Sequence, residues 1–312
     1  MTAVADAARD WLTAGADWTP EWVEAAGMAE LLTGGGTYGD LLAVARVAGE
    51  VASPIPAAGV ALAAAMARSA GLAVEGLVVP AFPEPGDGWP VATRDGSGVR
   101  LTGSVAAVHG ARWARHLVVP ARCGDDEVVA VVEREQVAVT ARAVLDLTRE
   151  FDRVDLDTTT ARVAVVSVDR AVEAHFALYA ADAVGAAGAV FRSALAHVTT
   201  RTQFGKPLGA FQAVQHRCAD LSVALAAADA AVRAAGAALD SGDRNACATA
   251  VSAAAAYSAE VCAEVAASAL HLHGATGFTW DHDAHRHLRR VKTDAILGGT
   301  ARWHHERLAT LP

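Results

Sequence analysis

Arg201-Thr202-Gln203-Phe204-Gly205-Lys206-Pro207-Leu208-Gly209-Ala210-Phe211-Gln212 separates two long Ala-rich runs, and the rest of the chain can be read outward from it. The segment gathers two cations, a phenylalanine, glycines and a glutamine between helical patterns over about 170–199 and 209–240. Such a loop suits an anionic ligand that carries an aromatic ring. Arginine pairs with phosphate bidentately, phenylalanine packs on a ring and glutamine bonds a polar edge. A charged, solvated turn is the alternative that these residues alone leave open.

Downstream, helical periodicity continues over about 245–273, 282–296 and from 300. It is broken at Asp240-Ser241-Gly242-Asp243 and at His273-Gly274-Ala275-Thr276-Gly277. Long helices joined by short turns predict a four-helix-bundle-like domain over 170–312. Upstream, over 72–169, the period changes. Short runs (Val99–Leu101, Leu117–Val119, Val128–Val132, Val137–Val139, Val163–Val166) alternate with turns such as Glu84-Pro85-Gly86-Asp87-Gly88 and Asp95-Gly96-Ser97-Gly98, which predicts a small antiparallel β domain.

Residues 1–71 read as helical again. Trp11 and Leu12 begin an apolar face, and Thr19 with Pro20 and Glu21 opens a second helix that Thr33-Gly34-Gly35-Gly36 should stop. Further helices are expected over 40–51 and 57–70. The predicted fold is α+β, mainly α, in three parts.

Composition narrows the function classes. Of the 312 residues, 53% are hydrophobic and 20% charged, enough to bury a core and too apolar for a disordered chain. A net charge of −9 with no Lys/Arg block argues against a nucleic-acid partner. The four cysteines (Cys123, Cys218, Cys247, Cys262) form no C-x-x-C pair, which favours a reducing, cytoplasmic setting over disulfides or thiolate zinc. Asp6, Arg9 and Asp10 precede any apolar run, unlike a signal peptide. The stretch Ile55–Val74, broken by Arg68, falls short of a membrane span.

Two other patterns could carry chemistry. Gly34-Gly35-Gly36-Thr37-Tyr38-Gly39 satisfies G-x-G-x-x-G, but it follows a helical pattern where a dinucleotide site needs a strand, so an interhelix turn is expected. Histidines crowd the C-terminal third (His271, His273, His282, His285, His287, His304, His305). With no nearby cysteine and no H-E-x-x-H, no metal site is expected from them; capping, phosphate contact or an interface is the plainer use. No G-x-S-x-G motif suggests a hydrolase.

The segment 201–212 resembles R-x-x-F-G-[KR]-x-[LI]-x-x-x-Q of the acyl-CoA dehydrogenase family, which joins two helices of that family's C-terminal bundle. His271-Leu272-His273-Gly274-Ala275-Thr276-Gly277-Phe278 is similar to the family's Q-x-x-G-G-x-G-[FY], and Leu297-Gly298-Gly299-Thr300 falls at its Y-E-G-T element. Leu101-Thr102-Gly103 and Leu145-Asp146-Leu147-Thr148-Arg149 agree more loosely. The resemblance implies the family's three domains and an FAD-dependent α,β-dehydrogenation of an acyl-CoA thioester. It implies cofactor contacts at Arg201, Gln203, Phe204 and Gln212, with His271, Gly274, Ala275 and Thr300 near the flavin. In the family, FAD lies between subunits, and the Arg, Phe and Gln reach a neighbour's cofactor.

The departures are as informative. The family's catalytic Glu precedes Gly-Thr, and here that residue is Gly298; the alternative Glu position on the first bundle helix is His175. Glu173, two residues away, should point about 200° from His175 on a helix. Asp294, one turn before Gly298, is expected to cap or to pair with Arg290. The flavin loop T-E-P-x-x-G-S-D is reduced to Pro83-Glu84-Pro85-Gly86-Asp87, and the helical zone before residue 72 is short. No catalytic residue is therefore assigned to this chain.

The expectation is a short, non-catalytic subunit of a heteromeric, α2β2-type acyl-CoA dehydrogenase, acting on a bulky or steroid-derived acyl-CoA. Its expected partners are a full-length homologue that supplies the Glu and an electron-transfer acceptor, with FAD shared between the chains. A self-sufficient homo-oligomer with an unusual base, or a flavin-free binding or scaffold homologue, are the alternatives.

Overall fold

The structure, a computed structural model, describes residues 3–14, 18–96 and 98–311; Ser97, in the turn expected at 95–98, lies outside them. Four helices come first: α1 (Ala3–Ala14), α2 (Pro20–Ala25), α3 (Tyr38–Glu50) and α4 (Ala57–Ser69). Thr19 caps α2 by accepting from the Trp22 amide, with Pro20 in the first turn, as the sequence suggests. The helix is shorter than expected, however. It stops at Ala25 rather than near residue 32, because Gly27 turns left-handed (φ +67°) and a short 3-10 turn, Met28–Glu30, follows.

Gly34–Gly39 is an interhelix turn. At the start of α3, Thr37 and Asp40 cap each other's backbone, and the amides of Tyr38 and Gly39 donate to Asp240 at 2.7 and 3.2 Å. Those amides already face carboxylates, so a phosphate at this helix end would meet like charge.

Seven strands follow: β1 (Val78–Pro80), β2 (Val91–Asp95), β3 (Gly98–His109), β4 (His116–Cys123), β5 (Asp126–Glu133), β6 (Ala138–Arg142) and β7 (Phe151–Val165). They run in the order β1-β4-β2-β3-β7-β5, with β6 also on β7. Because β5 pairs with β4 as well, the sheet curls back on itself. Pairing is antiparallel except for β1 beside β4 and a one-residue contact of Val91 with Arg122. The β1–β4 pair departs from a purely antiparallel domain, and a three-residue strand added to an edge settles it.

The helical half comprises α5 (Asp169–Thr200), α6 (Gln212–Ser241), α7 (Arg244–Leu272), α8 (Ala284–Leu297) and α9 (Ala301–Leu308). Small residues set its spacing. A Cβ on Gly49 of α3 would run into the Asp182 carbonyl of α5, and one on Gly185 into the Arg46 carbonyl, so these helices touch backbone to backbone. By length and composition α5, α6 and α7 are each long and apolar enough to cross a membrane, more so than the 55–74 stretch singled out from sequence. Most of the apolar window of α5 is buried inside the fold, but only 28% of that of α6 is.

A buried ion cluster ties the three parts together. Arg149, in the loop between β6 and β7, binds Asp146 (2.6 Å) and Asp294 of α8 (2.5 Å). Arg290 of α8 grips both oxygens of Asp182 on α5 (2.6 and 2.7 Å) and donates to the Ser53 carbonyl and to Thr148 Oγ1. Asp294 thus pairs with Arg149, whereas the sequence suggests a cap or a pair with Arg290. One turn apart on α8, both side chains point into the junction, where the β-domain loop supplies a second cation that local spacing cannot reveal.

Candidate functional site

Gly298, at the position of the missing carboxylate, closes α8. Its backbone is unstrained, yet a Cβ there would lie 2.6 Å from the Tyr179 Cβ and 3.0 Å from the Asp294 carbonyl. Tyr179 of α5 therefore occupies the space into which a side chain at 298 would grow. The next residue, Gly299, has φ +93°, and the His304 ring donates to the Gly298 carbonyl at 2.7 Å, locking the turn. Thr300 is the N-cap of α9, its hydroxyl accepting from the Trp303 amide. That oxygen serves the helix end.

The second position, His175, faces a cavity of about 80 Å³ with Phe82, Tyr179, His109 and the Arg290–Asp182 pair around it. Its ring stacks on Phe82 (centroids 4.2 Å apart) and meets Tyr179 edge-on at 5.1 Å. Burial pushes its pKa down to about 3, so the imidazole is neutral at physiological pH. Such a ring is a weak base in a space far smaller than an acyl chain or a flavin ring needs. Glu173 points the other way, as its spacing predicts. It is buried in an ion pair with Arg307 beside a separate cavity of about 610 Å³ between α4 and the starts of α5 and α7. That larger cavity contains neither Gly298 nor His175, and its Arg244 and Arg307 are already paired with Asp169 and Glu173.

The segment 201–212 is the opposite case. Thr202–Gln203 (β8) and Lys206–Pro207 (β9) form a two-strand ribbon whose tip is Phe204-Gly205, both with positive φ (+52° and +79°). Two positive values in a two-residue loop give the twist that a tight hairpin needs. Glycine adopts it freely; phenylalanine is strained there by roughly 1 kcal/mol. The strain presents an aromatic ring that is 91% exposed, held at the tip beside Phe211 (6.3 Å, edge-on). Lys206 lies 4.2 Å over the Phe211 ring and bonds the Ala210 carbonyl.

Arg201, Gln203 and Gln212 are exposed on the same segment. Among the described residues no carboxylate lies within ion-pair distance of Arg201. Phe204→Gly should leave the unfolding midpoint of the chain nearly unchanged. Relief of about 1 kcal/mol of strain is offset by about 0.5–1 kcal/mol of added unfolded-state freedom. A thermal melt of the variant checks this.

The second motif lies at the same end of the bundle. The Arg201 amide donates to the His197 carbonyl, and the His197 ring lies 5.1 Å from that of His273 at the end of α7. His273 is buried, with Nδ1 on the Ala269 carbonyl and Nε2 on Ser193 Oγ, and His282 stacks edge-on against it. His271, Gly274 and Ala275 are exposed, and His271 meets the exposed Phe278 at 5.3 Å. Arg217 bonds Glu264 and Ser268 beside a groove that reaches His271, a contribution that no motif signalled.

The residues expected to touch FAD thus divide. Arg201, Gln203, Phe204, Gln212, His271, Gly274 and Ala275 lie on one outward, uncovered end; Gly298 and His175 line the closed interior, and Thr300 is exposed as the cap of α9. The outward set fits the anionic and aromatic parts of a flavin nucleotide, with a free guanidinium, a presented ring and amide side chains. The interior set does not fit a flavin ring.

Comparison with known proteins finds relatives of this geometry. Residues 160–310 match the family model for the acyl-CoA dehydrogenase C-terminal domain. Acyl-CoA dehydrogenase FadE34 of Mycobacterium tuberculosis is 36% identical over 171 residues, 54% of this chain but only 24% of that relative's length. Other leading curated relatives are matched over less than two fifths of their length.

Among solved structures, a variant of the Tcur3481-Tcur3483 steroid acyl-CoA dehydrogenase superposes with a TM-score of 0.86 at 24% identity, covering 99% of this chain and 96% of that one. The ChsE4-ChsE5 complex of Mycobacterium tuberculosis gives a TM-score of 0.84 at 22% identity, covering 100% and 99%. These likenesses show the acyl-CoA dehydrogenase fold over the whole chain. Residues 160–310 are thus similar to the C-terminal domain of acyl-CoA dehydrogenases, and the chain as a whole has the acyl-CoA dehydrogenase fold.

Proposed function

We propose that this chain is the non-catalytic subunit of a heteromeric acyl-CoA dehydrogenase and that it completes the FAD site of a full-length, catalytic homologue. One contrast carries the proposal: Tyr179 fills the space at Gly298 within the chain, while the strained tip holds Phe204 out with nothing covering it. When bound, FAD supplies the hydride acceptor of an α,β-dehydrogenation. Arg201 would neutralise its pyrophosphate, Phe204 would pack on a ring, and Gln203, Gln212 and His271 would bond its polar edges. The carboxylate that takes the α-proton belongs to the partner.

Tcur3481-Tcur3483 and ChsE4-ChsE5 each pair differently named chains, and the first is a steroid enzyme, which supports an α2β2-type assembly and a bulky or steroid-derived acyl-CoA substrate. The uncovered face of α6 offers surface for such a partner. An electron-transfer acceptor then reoxidises the complex, and a cytoplasmic setting agrees with four free thiols.

The test is flavin stoichiometry of the chain alone and of the chain co-purified with a full-length homologue. Little or no flavin alone and about one per catalytic site in the complex is expected. In the complex, Arg201→Ala and Phe204→Ala should each lower retained flavin several-fold, while His175→Phe leaves turnover intact. Full flavin occupancy in the isolated chain would mean a self-sufficient enzyme, and no flavin under any pairing would mean a scaffold.

A further inference from the structure

The junction described above holds more acid than base. Asp146, Asp182 and Asp294 face only Arg149 and Arg290, and all five side chains are almost wholly buried. The other titratable groups around them do not supply the missing positive charge. Tyr179 on α5 stays neutral because burial raises its pKa, and burial holds His109 on β3 neutral, with a pKa near 3. Cys262 on α7 is likewise pushed up by burial, and Glu84 is paired with Arg142 at 2.6 Å. With every aspartate ionised the cluster would carry one uncompensated negative charge in the core, at a cost of several kcal/mol.

The hydrogen bonds say where the excess resides. Asp146 takes Thr148 N–H, Thr148 O–H and Arg149 Nε; Asp182 takes two bonds from Arg290. Asp294 takes one, from Arg149 to Oδ1, and its buried Oδ2 receives no donor. The Asp294 and Asp182 carboxylates lie within side-chain hydrogen-bonding reach of each other. Two carboxylates cannot face each other this way unless one carries a proton.

We propose that Asp294 is a carboxylic acid in the folded chain, its Oδ2–H donating to Asp182, and that this single proton makes the three-part junction an alkali-sensitive lock. Burial and the Asp182 charge outweigh the attraction of Arg149 and favour the protonated form. The unfolded chain ionises Asp294 near pH 4, so folding takes up one proton above that pH, and stability falls as pH rises until the folded pair itself ionises. Losing the proton sets Asp182 and Asp294 against each other across the contact between α5 and α8. The grip of Arg149, from the β domain, on α8 and of Arg290 on Ser53 depends on that same contact.

The test follows the unfolding equilibrium of the full chain and of Asp294→Asn, which keeps the shape without the titrating proton, between about pH 7 and 8.5. Histidines and cysteines of the unfolded state titrate at the two edges of this window, and their effects cancel in the comparison. The unfolding constant of wild type relative to that of the variant should rise close to tenfold per pH unit, and the variant should be the more stable of the two at pH 8.5. Infrared spectroscopy at pH 7 should show a protonated carboxyl C=O band in wild type that Asp294→Asn lacks. The same pH slope in both proteins, or no such band, overturns the proposal.

Discussion

Gly298→Glu, the substitution that restores the family's carboxylate, should destabilise this chain and yield no acyl-CoA-dependent dye reduction. The Cβ alone lands 2.6 Å from the Tyr179 Cβ, so Gly298→Ala should already cost about 1–3 kcal/mol by overpacking. The longer side chain adds an unpaired carboxylate in a closed interior, taking the loss to roughly 3 kcal/mol or more. Activity cannot return, because the space beside His175 is only about 80 Å³. Denaturant titration measures the first effect and a dye assay on the chain alone the second. Tyr179→Ala should recover more than half of the Gly298→Ala loss in the double variant, since the two side chains compete for one volume. Dye reduction by Gly298→Glu would mean that the site opens without a partner.

Arg149→Met should cost about 3–5 kcal/mol, the range for removing one partner from a buried ion cluster. It leaves Asp146, Asp182 and Asp294 facing Arg290 alone among the described residues, and it cuts the bond from Arg149 to Asp294 Oδ1. The loss should be largest near pH 8 and smaller near pH 5, because the stranded carboxylates can then take up protons. Adding Asp294→Asn to Arg149→Met should return part of the loss, because it removes one of the unpaired acids. Chemical denaturation of the two variants at both pH values checks the pattern. A loss under about 1 kcal/mol at pH 8 would mean that the cluster is solvated and does not couple the three parts.

Much of the architecture was legible in the chain. The long helices of the bundle were anticipated to within three residues at each end, because Ala-rich 3.6-residue periodicity bounded by Gly, Pro and Asp is a local property. The β-branched runs fell in β3 to β7 for the same reason, but β1 and β2 were not marked by any of them. The early stop of α2 was missed because Gly27 breaks the helix before the more conspicuous glycines at 34–36. The parallel placement of β1 was missed because pairing partners forty residues apart leave no mark in either strand. The Arg290–Asp294 pairing failed because α8 faces a β-domain loop whose Arg149 competes for the same carboxylate.

The sequence by itself determined which chemistry is absent and which remains. Glycine at 298 and histidine at 175 remove both carboxylates whatever the fold does, and Arg201, Phe204 and Gln212 keep a cation, a ring and an amide in one loop. Only the tertiary structure decided that the loss is sealed and that the retained residues face outward. Tyr179 enters the space at Gly298 because α5 crosses the end of α8. Phe204 stands exposed because a two-residue turn forces it left-handed. Both outcomes depend on the distance and angle between elements packed from distant parts of the chain, and those are set by the summed packing of the core rather than by any local run of residues.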